Sequence, residues 1–146
     1  MSIDQSAVGM TSEVQEFEIE KGAIRRFAEA IGDANPLFID ENHAKACGYA
    51  GVIAPPTFPT TFRVPLPVEI DMSHVLHGEQ EYAYTRPIVA GETIRCQTRI
   101  VKVYEREGSL GKMTFLTAEI AGNDVQGQPV FTGKSIIIIH DGGAAK

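Results

Sequence analysis

The sequence predicts an α+β domain in which a curved antiparallel sheet of about five strands wraps around a helix. Three observations carry that reading. Ile24, Phe27, Ala28 and Ile31 fall at i, i+3, i+4 and i+7, an apolar helical stripe backed by Arg25, Arg26 and Glu29. From Gly78 onward, long stretches alternate in polarity and are separated by turn residues. The helical signals come first and the strands last, which is not the βαβ alternation of a parallel sheet. The sheet needs its apolar face covered, and only the helices of the first half can cover it.

The chain has 146 residues, enough for one domain with its own core. A net charge of −6 without a Lys/Arg cluster argues against nucleic acid or an anionic membrane surface as partner. The longest apolar run, Ile136 to Ile139, has the length of a strand and falls far short of the roughly 18–20 residues of a membrane span. The N-terminus has neither the basic nor the apolar region of a secretory signal, so a cytoplasmic protein is expected. Residues 1–14 are expected to form a flexible arm, 15–141 the domain and 142–146 a tail.

Phe17-Glu18-Ile19 reads as a short edge strand. The first helix follows and ends at Gly32, a C′ residue. Pro36 forbids its restart and pushes Asn35 towards an extended backbone. Asp40-Glu41-Asn42 cap a second short helix, about His43 to Cys47, stopped by Gly48. Gly51-Val52-Ile53-Ala54 is an apolar entry into Pro55-Pro56. A third helix over Thr57–Val64, starting near Pro56 and ended by Pro65 and Pro67, is the candidate for the buried central helix. Strands are expected over Glu79–Tyr84, Thr93–Tyr104, Lys112–Ala121 and Pro129–His140, with Ile94, Cys96, Thr98 and Ile100 on one face. Consecutive hairpins of this kind predict a meander, and its edge invites pairing with another copy or a homologue.

The bend Gly32-Asp33-Ala34-Asn35-Pro36 presents a carboxylate and a carboxamide on the same side of a rigid turn. Such a pair can hold a water or a substrate hydroxyl and move a proton. Asp and Asn are equally at home as plain turn and capping residues. His74-x-x-His77 suggests no third ligand, so no metal is expected, and the absence of G-x-G-x-x-G and P-loop patterns gives no cofactor. His77 precedes Gly78 and the sheet, at a cleft or in a solvated loop. His43 is read as an exposed helix residue. Cys47 and Cys96 have no base beside them in the sequence and read as core thiols. Arg63, Arg86 and Lys134 are lone cations, placed either to meet carrier phosphates or merely to solubilise.

The stretch Phe27-Ala28-Glu29-Ala30-Ile31-Gly32-Asp33-Ala34-Asn35-Pro36-Leu37-Phe38 resembles the hydratase motif of the MaoC-like dehydratases. Gly48-Tyr49-Ala50-Gly51-Val52-Ile53-Ala54-Pro55-Pro56-Thr57-Phe58 is similar to the segment that follows it in the N-terminal-type, or FAS1-like, dehydratase domains. Arg86-Pro87-Ile88-Val89-Ala90-Gly91-Glu92 and Val130-Phe131-Thr132-Gly133-Lys134-Ser135 fit later elements of the same family. The resemblance implies a single hot-dog fold and a lyase of fatty acid metabolism. Its reaction is reversible loss of water from a (3R)-3-hydroxyacyl thioester, carried by CoA or an acyl carrier protein. It also implies a homo- or heterodimer with another hot-dog subunit.

The motif has the form G-D-x-N-P-[LIV]-H, whose Asp and His move the protons. Here Asp33 and Asn35 match as catalytic candidates, while the histidine position is Phe38, and a phenyl ring cannot exchange a proton. Pro36, Leu37, Tyr49, Gly51, Val52, Ile53, Ala54 and His77 are the implied substrate-binding residues. The departure leaves three accounts. The chain supports a partner with the intact pair, or pairs Asp33 with a replacement such as His77, or binds acyl thioesters without chemistry. An acyl-thioesterase using Asp33 or Asp40 is a further alternative, because fold alone does not fix function.

Overall fold

Five strands form one antiparallel sheet in the order β1-β3-β4-β5-β2 in the computed structural model, which describes residues 3–109 and 111–141. They are β1 (Gln15–Glu18), β2 (Val75–Tyr84), β3 (Thr93–Gly108), β4 (Gly111–Asn123) and β5 (Pro129–His140). Three helices precede β2: α1 (Lys21–Ala30), α2 (Pro36–Ile39) and α3 (Glu41–Ala46). Among the described residues, three 3-10 turns complete the inventory, at Gln5–Ala7, Phe58–Thr61 and Met72–His74. No helix of the described residues is long and apolar enough to cross a membrane.

The expected meander holds for β3, β4 and β5, but β2 does not lie beside β3. It pairs with β5 at the far edge. The reason lies in the segment before it. Phe62 and Val64 pack on one core cluster and Leu66, Val68 and Ile70 on a second, so this stretch crosses the inner face and delivers β2 to the free side of β5. A bulge between His77 and Glu79 adjusts the register there.

Inner-face residues line up in rungs across the ladders. Cys96, Gly122, Phe131 and Tyr84 make one rung, and Thr98, Ile120, Gly133 and Tyr82 the next. Ile94, Cys96, Thr98 and Ile100 are all buried, as their alternation predicts. Two glycines leave room for neighbouring rings: a Cβ on Gly122 would lie 2.1 Å from the Phe131 ring, and one on Gly133 would lie 2.7 Å from Tyr82. α1 lies against this face with Ile24 and Ala28 fully buried. Ile31, the last residue of the predicted stripe, falls outside the helix and is 47% exposed.

Three local expectations are corrected. The third helix is a single 3-10 turn, Phe58–Thr61, rather than a helix through Val64. Pro59 offers no amide and Pro65 drives Val64 out of the helical region, so the segment stays extended. Its rings still fill the core: Phe62 stacks on Phe17 at 4.6 Å, and Phe58 meets Phe27 edge-on at 5.6 Å. α1 and this aromatic strap together take the place of the expected central helix. Secondly, Pro36 does not forbid a helical restart but opens one, α2, while Asn35 before it is extended as expected. Asn35 accepts a hydrogen bond from the Leu37 amide at 3.0 Å, and Pro36 takes the first position of α2. Thirdly, the segment expected to be a loose arm is docked from residue 3. Ile3 and Ala7 are buried, the Gln5 side chain donates to the Val103 carbonyl, and Ser12 donates its amide to Thr98 O at 2.8 Å. Apolar Ile3 and Ala7 close one end of the second core cluster, which β1 is too short to cover.

Because the Gly122 site is already filled by the Phe131 ring, Gly122→Ala forces a buried aromatic to move. The substitution is expected to lower unfolding stability by about 1–3 kcal/mol, read as a lower denaturation midpoint at unchanged slope.

Candidate active site

Gly32 closes α1 at φ +72°, a conformation favouring glycine, and the Asp33 amide returns to Ala28 O at 2.9 Å. The Asp33 carboxylate accepts from the Asn35 backbone amide at 3.1 Å, and the Asn35 side-chain Oδ1 accepts from the Leu37 amide. The bend is therefore locked by its own side chains. Both are exposed, and each polar group gives one oxygen to the local turn. Asp33 borders an open cleft of about 1110 Å³ between α1 and the α2–α3 pair, with Lys21, Arg25, Asp40 and Glu41. Lys21 and Lys45 lie 3.7 and 3.9 Å from the Glu41 carboxylate. Arg25 donates to the Ile39 carbonyl at 3.2 Å.

Pro36 is exposed and Leu37 half-buried, whereas Phe38 is 5% exposed and belongs to the main core cluster. The ring at the motif's histidine position points into apolar packing. Gly51, Val52, Ile53 and Ala54 are buried, and Tyr49 packs half-buried beside them. This stretch lines neither the cleft nor the groove described next. It instead forms a backbone tie: Ile53 N–H to Leu37 O at 3.0 Å, Ala54 N–H to Ile88 O at 2.8 Å, and Ala90 N–H to Val52 O at 2.9 Å.

His77 lies elsewhere. With Phe62, Val64, Tyr82 and Ile137 it lines a groove of about 340 Å³ on the inner face, where Gln80, Ser135 and Thr98 supply polar atoms. Asp33 and His77 thus border different cavities. Apart from His77, the groove is missed by the sequence reading. Its signal was present as the two-residue alternation Phe62-Arg63-Val64-Pro65-Leu66, which marks an extended segment rather than a helix.

A third cavity, of about 650 Å³, lies at the other end of the sheet and contains His74, His140, Asp71 and Lys112. His74 Nδ1 lies 3.0 Å from Asp71 Oδ2. Hydrogen bonds from the Ser73 hydroxyl and amide, joined by His74, hold the Asp71 carboxyl below its ordinary value. Among the described residues no three His, Cys, Asp or Glu side chains are grouped to hold a metal ion.

Arg86, expected as a lone cation, is the centre of a clamp. It reaches Glu92 through two bonds of 2.9 and 2.8 Å and lies 3.5 Å from Asp124. Glu92 also accepts from the Val89 amide at 2.7 Å. The amide of Gln128 first, with that of Gln126 and the guanidinium, lowers the Asp124 pKa against the opposing effect of burial. Lys134 likewise is paired, 3.2 Å from Glu81.

The thiols divide. Cys96 is buried, and burial pushes its pKa up to about 12. Cys47, expected in the core, is exposed at the end of α3, with Sγ 3.7 Å from His43 Nε2. The helix turns its Ala44 face inward and leaves Cys47 outside.

The family model of the FAS1-like, dehydratase domain region matches residues 6–133. The UPF0336 protein of Thermobifida fusca is 36% identical over 149 residues, covering 96% of this chain and 95% of the relative. Among solved structures, a chain of the C-terminally truncated HadBC (3R-hydroxyacyl-ACP dehydratase) complex from Mycobacterium tuberculosis superposes with a TM-score of 0.76 at 20% identity, covering 90% of this chain and 96% of that one. A MaoC-like dehydratase superposes at 0.80 with 23% identity, over 93% of this chain and 43% of that longer one. The five-stranded antiparallel sheet around α1 is the hot-dog fold of these dehydratases.

Burial separates the thiols in reactivity, because the thiolate is the nucleophile. A disulfide reagent at neutral pH is expected to titrate one fast thiol in the native protein and two after denaturation. Cys47→Ser should abolish the fast phase, and Cys96→Ser should leave it.

Proposed function

The chain belongs to the FAS1-like dehydratase-region family, and from that premise we propose that it is one subunit of a (3R)-3-hydroxyacyl-thioester dehydratase acting in the cytoplasm. The observation that carries the division of labour is Phe38, a buried phenyl ring where the motif has its imidazole. Dehydration breaks the C2–H bond, expels the C3 hydroxyl as water and leaves a C2=C3 double bond. One group must take the C2 proton and one must protonate the departing hydroxyl. Asp33 is the only motif residue here that can move a proton, so the imidazole comes from a second hot-dog subunit with an intact Asp–His pair.

In this reading Asp33 and Asn35 form the polar side of the thioester site, and the backbone tie through Ile53 holds their bend in place. The groove beneath Phe62 and Val64, a cavity separate from the cleft at Asp33, has the apolar walls with few polar atoms that acyl chains fill. The carrier of the thioester is CoA or an acyl carrier protein. The same buried Phe38 favours a second reading, a subunit that binds acyl thioesters and does no chemistry.

The test is hydration of a short trans-2-enoyl thioester, followed as loss of enoyl absorbance. The pure chain is expected to be inactive, and active when co-expressed with a hot-dog subunit carrying the intact motif. Asp33→Ala within that pair should lower turnover by about 100-fold or more. An unchanged rate would reduce Asp33 to a turn residue. Release of free thiol would point to a thioesterase, and binding without turnover to the non-catalytic role.

Phe38→His restores the motif on paper, but it sets an imidazole among apolar side chains. It is expected to cost on the order of 2–4 kcal/mol of stability and to give no turnover in the isolated chain. Gain of hydratase activity in that variant would overturn the supporting role.

A further inference from the structure

The run Ile136-Ile137-Ile138-Ile139 has no full explanation inside one chain. A strand that is apolar at consecutive positions is one covered on both faces. Ile137 and Ile139 point inward and pack on the cluster of Ile100, Val103 and Leu116. Ile136 and Ile138 point outward, and both buried clusters lie on the inner side.

The ladders place the outward residues in rungs. Lys102, Thr117, Ile136 and Glu79 form one, and Tyr104, Phe115, Ile138 and Leu76 the next. The Tyr104 and Phe115 rings stack at 4.9 Å and 10°, and Leu76 at the end of its rung is 44% exposed. The preceding rung is of another kind. Arg99, Glu119, Lys134 and Glu81 alternate in charge, with pairs at 3.9 and 3.2 Å. One half of the outer face is therefore built for water and the other half is not.

We propose that the apolar half of this outer face packs on the same surface of a second copy of the chain, across a two-fold axis running along the strands. Such an axis lays β3 over the other copy's β2, and β4 over its β5. It sets Tyr104 of one copy against Leu76 of the other, and Phe115 against Ile138. The charges fit the same arrangement. Lys102 and Arg106 flank the row at the β3 end, 5.0 and 5.4 Å from the Tyr104 ring, with no carboxylate within ion-pair distance among the described residues. Glu79 closes the β2 end, likewise without a cation partner there. The axis brings Lys102 opposite Glu79 twice, whereas a two-fold across the strands would stack Lys102 on Arg106. Face-to-face sheets at about 10 Å with strands near 30° apart accept this geometry. The contact uses side chains of the sheet face and leaves the backbone edge of β2 free, so it does not depend on the proposed dehydratase role.

Sedimentation of the full chain over a concentration series tests it. The wild type is expected to associate, and Lys102→Glu or Glu79→Lys should each halve the mass of the assembly and raise its dissociation constant about tenfold or more. The double exchange, Lys102→Glu with Glu79→Lys, should restore association. All three are exposed substitutions, and circular dichroism of each confirms the fold. A monomeric wild type, a mass unmoved by both single variants, or a double exchange no better than the singles would overturn the proposal.

Discussion

The polar bend is held to the sheet by backbone pairing through Ile53. Leu37 accepts from the Ile53 amide, Ile53 and Val89 form a β-bridge, and Val52 accepts from Ala90. The 86–92 loop is in turn fixed by Arg86 and Glu92, whose charged hydrogen bonds are part-buried and therefore strong. Asp124 extends the clamp to the β4–β5 connection. A carboxylate exposed on a turn has no useful position unless its backbone has one. Here that position passes from the sheet to the 86–92 loop, then to Ile53, Leu37 and the bend.

The sequence disclosed the parts whose signal is periodic. The stripe of α1 and the alternation of β3 rest on spacing alone, and Ile24, Ala28, Ile94, Cys96 and Ile100 are buried accordingly. It was less legible where one residue type serves two purposes. Pro36 stops a helix and also starts one, and only the Asn35 cap decides which. Pro59 and Pro65 allow a first helical turn but not its continuation, so Thr57–Val64 reads as a helix by composition and is mostly extended in space. The pairing of β2 with β5 is non-local: no local pattern says which edge a strand reaches after a long crossing. The bend could be read as a motif, but not the placement of Asp33 and His77 in separate cavities, because that depends on the same crossing.

Phe38 packs into the core from a turn whose local form is complete. The α2 turn, its cap and its first proline are all retained. The ring joins Ile24, Ala28 and Val52 in the core and is stabilised there by burial, whereas an imidazole would carry unpaired ring nitrogens.

The edge position of β2 bears on the inner-face groove. His77, Gln80 and Tyr82 all lie on β2 and all line the inner-face groove. One wall of that groove is therefore the last strand of the sheet, whose outer edge pairs with no other strand among the described residues. A strand added at this edge would continue the wall and carry its own inward side chains to the mouth of the groove. Inward positions alternate along a strand, so every second residue of the added strand would face the same space. Side chains brought there would meet His77, Gln80 and Tyr82 in the groove, not the separate cleft that Asp33 borders.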